Sequence, residues 1–229
     1  MDYEYALKKP FTDIRKLLIG CALNTVPIVN VLVSGYIVKV AGKTMVGKEG
    51  LPGWENWGRL FRNGIFASLI ALIYAIPLLA IMLAFFGTSY FNYLKNGEVI
   101  HFGLLGGWSV LVIVLGIAVA YIIPGALLNF SKTEIWADGF KTKAIFSMIY
   151  RKDYFFAWIF SAIYAIILGM VFGLVPNVAG VIANLAGMSL SWQAKIVIFS
   201  STLSSSVSGY IVGVTAFTVL GGALRKKKH

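Results

Sequence analysis

The sequence predicts an all-α protein, a polytopic membrane helix bundle, and two observations carry that reading. Four long stretches, 64–94, 99–131, 154–194 and 196–224, contain no Asp, Glu, Lys or Arg. A bilayer core about 30 Å thick takes about 20 apolar residues in a helix, so each stretch can cross with residues left for a connection. The second observation is where the 20 Lys and Arg residues collect: 4 before residue 17, 5 in 39–62, 1 at Lys95, 5 in 132–152, 1 at Lys195 and 4 in 225–228. Rich and poor connectors alternate, as the positive-inside bias requires when four helices cross in succession. Composition agrees: with 59% hydrophobic residues and a mean hydropathy of +0.82, the solvent this chain is built for is lipid.

Spanning helices are expected at 65–86, 104–128, 156–175 and 196–222, with Pro176-Asn177 ending the third. The rich connectors 39–63, 129–155 and 223–229 should then be cytoplasmic, which places the carboxy terminus inside a multi-pass cell-membrane protein. The first apolar run, 17–38, is long enough to span but carries basic residues on both flanks and Asn24, Pro27 and Asn30 at its centre. Read as a spanning helix with the amino terminus outside, it leaves 14 basic residues inside and 6 outside; read as a re-entrant hairpin turning near Pro27, it leaves 18 inside and 2 outside. Charge bias and the donor that proline lacks favour the hairpin. The alternative is a kinked spanning helix, because irregular backbone at membrane depth needs shielding by protein or water.

Three basic segments read as amphipathic helices at the interface. In the first, Tyr3, Leu7, Phe11, Ile14 and Leu18 oppose Lys8, Lys9, Arg15 and Lys16. In the second, Trp54, Trp57, Leu60 and Phe61 oppose Glu55, Arg59 and Arg62. In the third, Trp136, Phe140, Ala144 and Met148 oppose Lys141, Lys143, Arg151 and Lys152. Arg59, Arg62, Lys141, Lys143, Arg151 and Lys152 are accordingly the candidate contacts to anionic lipid headgroups.

The whole chain, 1–229, reads as one integral membrane domain. Residues 66–76 echo 156–166 at an offset of 90, and Tyr121-Ile122-Ile123 echoes Tyr210-Ile211-Val212 at an offset of 89. These offsets fit duplicated helical hairpins at 59–128 and 149–217. A second echo, 33–38 against 207–212, has a different register, so both cannot be literal. Ser201, Ser205, Gly209 and Gly213 recur every four residues, and Gly169 and Gly173 repeat the spacing. That is the small-residue pattern by which helix backbones pack closely in membranes, within the chain or between copies in a homo-oligomer.

Residues 50–64, Gly-Leu-Pro-Gly-Trp-Glu-Asn-Trp-Gly-Arg-Leu-Phe-Arg-Asn-Gly, downstream of Ser34-Gly35-Tyr36, resemble a family of uncharacterised multi-pass membrane proteins. The family is mainly archaeal and known only as a domain of unknown function. Its pattern places a Gly-Tyr at the end of the first apolar segment before an LPxWxxW-type interfacial stretch. This chain departs from it with Lys39 and Lys43 where Arg is common and Gly53 in place of an acidic residue. The resemblance implies a prokaryotic membrane and supplies no activity.

No chemistry announces itself. The four spans hold no ionisable Asp, Glu, Lys or Arg of the kind that intramembrane catalysis and ion coupling use. Neither HExxH nor GxSxG occurs. His101 and Glu98 share a short loop without a nucleophile, and Asp138 and Asp153 sit among cations that balance them. A lone Cys21 and two distant His residues offer no metal spacing, so neither metal nor cofactor is expected. The net charge of +11 flanks apolar spans, which points to lipid headgroups as partners and not to nucleic acid. The expectation is a non-catalytic integral membrane protein that engages anionic lipids, as an organiser or assembly partner. The alternative is a channel or carrier for a small or lipidic solute along an uncharged path lined by Asn24, Asn30, Ser201 and Ser205. A lipid-modifying enzyme is third.

Overall fold

The computed structural model describes residues 2–96 and 107–225. Among these the chain is all α: α1 Tyr3–Lys8, α2 Ile14–Thr25, α3 Val31–Met45, α4 Trp57–Asn96, α5 Gly107–Thr133, α6 Thr142–Ile149, α7 Lys152–Leu185 and α8 Leu190–Ala223, with 3-10 turns at Lys9–Phe11 and Trp136–Phe140. Four helices are long and apolar enough to cross a membrane: α4, α5, α7 and α8. The Glu98–His101 pair, Gly103, Gly106 and the basic tail beyond Arg225 lie outside the described residues.

The first apolar run is a hairpin and not a kinked spanning helix. The Asp13 carboxylate starts α2 by accepting from the Lys16 N–H at 3.2 Å. The helix stops at Thr25 because Val26, preceding Pro27, is held extended at φ −95°, ψ 118°. Ile28 turns the chain with φ +72°, an uncommon conformation for a β-branched residue. At about 1.5 Å per residue, the 12 residues of α2 and 15 of α3 make rods of about 18 and 23 Å, each too short to span.

Contacts fix the direction of each arm. Along α2, Gly20 faces Tyr210 and Asn24 reaches Ser206, so α2 runs antiparallel to α8. Along α3, Ile37 meets Gly213 and Thr44 meets Gly221, so α3 runs parallel to α8. Both ends of the hairpin therefore return to the end of the bundle where α4 begins and α8 finishes. The 33–38 and 207–212 echo has a physical counterpart here, since Tyr36 and Tyr210 sit with ring centroids 6.1 Å apart.

α3 crosses α4 through a reciprocal pair of glycines. Gly35 lies against the Leu60 carbonyl and Gly64 against the Val31 carbonyl, four residues on along α4 and four back along α3. Any side chain at either position would push the backbones apart. At the same end Gly42 of α3 faces the Ser131 carbonyl of α5.

The spans are longer than expected. α7 runs through Pro176 to Leu185, where the sequence pointed to an end. Beside the proline, the Asn177 amide donates to the Gly173 carbonyl at 2.9 Å. The three interfacial segments also differ from continuous amphipathic helices. Pro10 and the Asp13 cap divide the first one, and Lys9 leaves the cationic face to become fully buried. In the second, the helix begins at Trp57, while Trp54 lies in the preceding loop. The third is a 3-10 turn followed by α6. Its turn is held by the Asn129 amide on the Asp138 carbonyl (2.7 Å) and the Tyr74 hydroxyl on the Gly139 carbonyl (3.1 Å).

Candidate functional site: a basic rim and cleft

The Gly-Tyr and Leu-Pro-x-Trp residues of the sequence motif form one knot. Tyr36 donates its hydroxyl to the Pro52 carbonyl at 2.9 Å and stacks on Trp54 with centroids 3.9 Å apart. The Trp54 indole N–H donates to the Lys16 carbonyl at 3.2 Å, and Lys16 Nζ donates to the Leu51 carbonyl at 3.1 Å. Trp57 stacks beyond Trp54 at 5.9 Å. The knot ties both arms of the hairpin to the start of α4, which makes the motif a structural seam.

The same end of the bundle carries a row of cations, the rim. Arg59 Nε meets Glu134 Oε2 at 2.6 Å, the Asn63 amide donates to the same oxygen at 2.7 Å, and Arg62 stands 4.0 Å away. Burial pushes the Glu134 carboxyl up, but the Arg59 and Asn63 hydrogen bonds and the two arginine charges outweigh it and leave it below the ordinary carboxylate value. Lys141 pairs with Asp138 at 2.6 Å, and Arg151 with Asp153 at 3.6 Å. Lys143 and Lys152 are exposed, with no carboxylate within 4.0 Å among the described residues. Between them α6 buries Ile145, Met148 and Ile149 and turns Phe146 and Tyr150 outward, the latter 81% exposed. Cations beside outward aromatics are what a helix lying at a headgroup boundary presents.

At this end α3, α4 and α5 line a cleft of about 450 Å³. Lys39, Lys43, Lys48, Arg59 and Lys132 line it, against the carboxylates of Glu55 and Glu134. Lys39 Nζ donates to the Gly53 carbonyl at 2.8 Å. Burial holds the Lys39 amine below its ordinary value, the Lys43 charge adds to this, and Glu55 opposes it. Four of these five cations, all but Arg59, lie outside the lipid contacts expected from the sequence. They lie far apart in sequence, and only the i, i+4 spacing of Lys39 and Lys43 hints at a shared face.

The uncharged polar candidates lie along α2, the hairpin tip and α8. Asn24 donates its amide to the Ser206 carbonyl at 2.8 Å, whereas Asn30 is exposed at the hairpin tip. Ser205 returns its hydroxyl to the Ser201 carbonyl, and both serines are exposed. Of the packing candidates, Gly209 meets Asn24 and Gly213 meets Ile37, while nothing lies within 4 Å of the space a side chain would take at Gly169 or Gly173.

A family model described as a protein of unknown function, DUF4013, matches residues 19–177, which takes in the rim and every residue of the cleft. No curated protein matches the chain, and no solved structure does. The chain, a multi-pass membrane protein by its four apolar helices, belongs to the DUF4013 family.

Proposed function

We propose that this is a non-catalytic protein of the cell membrane that engages anionic lipid headgroups through the basic end of its bundle, as a membrane organiser or assembly partner. In this reading the basic connectors and the carboxy terminus face the cytoplasm. The observation that carries it is the rim: cations from two connectors, Arg59 and Arg62 from one and Lys141, Lys143, Arg151 and Lys152 from the other, stand at one end of the bundle beside the outward Phe146 and Tyr150. Exposed cations at that depth attract anionic lipid by about 1 kcal/mol each. Outward Gly169, Gly173, Ser201 and Ser205 leave room for a helix of a second copy to approach.

Native mass spectrometry of the full chain in nanodiscs of mixed phosphatidylglycerol and phosphatidylcholine tests this reading. Anionic lipid should be enriched on the wild-type protein, and replacing Lys141, Lys143, Arg151 and Lys152 by Gln should remove most of the enrichment. Equal enrichment in the variant refutes the reading. The same spectra report oligomeric state.

A further inference from the structure

The cleft differs from the rim in ways that point to a discrete ligand. Rim cations are all exposed, whereas two of the cleft's, Lys39 and Lys43, are half-buried and the other three are exposed. In the cleft Arg59 has Glu134, but Lys43 and Lys48 have no carboxylate within 4.0 Å among the described residues, and Lys39 has only a carbonyl. Lys43 stands in the last turn of α3 and Lys132 in the last turn of α5, where a helix dipole accounts for one cation each. Lys39 and Lys48 have no such account. Lys39 and Lys43 are moreover like charges one turn apart, an arrangement that costs free energy until an anion lies between them.

A second feature aims at the same space. Asn56, at φ +58°, lines the cleft and immediately precedes α4, and its carbonyl accepts from the N–H groups of Arg59 and Leu60. The amino end of α4, with its positive dipole, therefore borders the cleft beside the lysines. The walls are held: Gly42 lets α3 lie against the Ser131 carbonyl, and Glu134 anchors the Arg59 guanidinium by its Nε–H. Clustered ammonium groups, an arginine and a helix amino terminus form a phosphate-binding set. Five cations against two carboxylates favour a dianion over a monoanion. A volume of about 450 Å³ is several times that of a phosphate group and lies within the usual range for small-ligand pockets.

We propose that the cleft between α3, α4 and α5 binds one phosphomonoester, free or as a lipid headgroup. The site shares Arg59 with the rim, but its lysines are not rim residues, so the two fail separately.

Glycerol 3-phosphate and phosphatidic acid carry the same phosphomonoester and distinguish its source. Thermal unfolding of the full chain in neutral detergent is followed as glycerol 3-phosphate is added at constant ionic strength. In parallel, native mass spectrometry in nanodiscs compares retention of phosphatidic acid with that of the monoanionic diester phosphatidylglycerol. Saturable stabilisation by glycerol 3-phosphate, or preferential retention of phosphatidic acid, supports the site, and the tighter of the two names the source. K39Q/K43Q should weaken that binding about tenfold or more, while K141Q/K143Q leaves the glycerol 3-phosphate stabilisation and the preference for phosphatidic acid over phosphatidylglycerol unchanged and lowers retention of both lipids alike. Lys48→Gln, on an exposed loop, should also weaken binding and serves if the double variant does not fold. The proposal is overturned if stabilisation follows ionic strength instead of phosphate and neither lipid is preferred, or if K141Q/K143Q lowers the glycerol 3-phosphate stabilisation or the phosphatidic acid preference as much as K39Q/K43Q.

Discussion

The two ends of the same long helices are built on different physics. At the basic end the hairpin, α1 and the 3-10 turns wrap the spans, and Tyr36, Tyr210, Leu128 and Phe130 are wholly buried. Towards the far ends of α7 and α8, Ile166, Leu174, Ile182 and Phe199 are each more than half exposed. Lipid tails are as apolar as these side chains, so burying them against protein gains little, and that half leaves them outward. The basic end has backbone polar groups, turns and charges to satisfy, and it does so with close packing and hydrogen bonds. The tertiary specificity of the fold is therefore concentrated at one end, which is also where the cleft lies.

That contrast is sharpest at the α3–α4 crossing. Gly35→Leu forces a side chain into the Leu60 carbonyl and should cost about 3 kcal/mol or abolish folding, read as loss of the monodisperse peak in size-exclusion chromatography. A normal peak would show that the basic end is as loosely packed as the far one.

Lys9 gives the next largest effect. Its amine is fully buried, donates to Thr44 Oγ1 at 2.8 Å, and has no carboxylate within 4.0 Å among the described residues. Burial pulls it from 10.5 down to about 8, with Glu49 opposing and Lys43 assisting. Between pH 8 and 10.5 the unfolded chain thus holds the proton that the folded chain has released, and stability rises with pH across that window. The full shift corresponds to roughly 3 kcal/mol. Lys9→Met should remove this rise and stabilise the protein at neutral pH, measured as thermal unfolding at pH 7 and 9 beside the wild type. An identical pH slope in both proteins would contradict the burial.

Smaller changes separate the ends further. Tyr36→Phe deletes the hydrogen bond to Pro52 and should cost about 1 kcal/mol in thermal unfolding. Leu174→Ala in the far half should change stability by less than about 0.5 kcal/mol. A loss of about 2 kcal/mol or more there would mean that a second copy packs on that face.

The far half was legible in the sequence because lipid imposes one demand, an unbroken apolar helix, and the charge-free stretches show it directly. The hairpin was legible too, since Pro27 restricts Val26 and charge counts favour the return. The basic end was not. Nothing near Lys9 in sequence marks it for burial, because its partner Thr44 comes from α3. The cleft gathers Lys39, Arg59 and Lys132 from three helices, and only tertiary packing brings them together. Pro176 misled for the opposite reason: α7 runs through it as α4 and α5 run through Pro77 and Pro124, and the rule that proline ends a helix weakens for an apolar spanning helix.

The central claim is that the hairpin returns the chain to the end from which it entered, so that α1, the seam and the cleft share one face. In a Cys21→Ser background, single cysteines at Glu4, Glu55 and Ser191, all exposed, are labelled in sealed vesicles by a membrane-impermeant maleimide. The account predicts that positions 4 and 55 react from the same side and position 191 from the other. Labelling of 4 and 55 from opposite sides would contradict it.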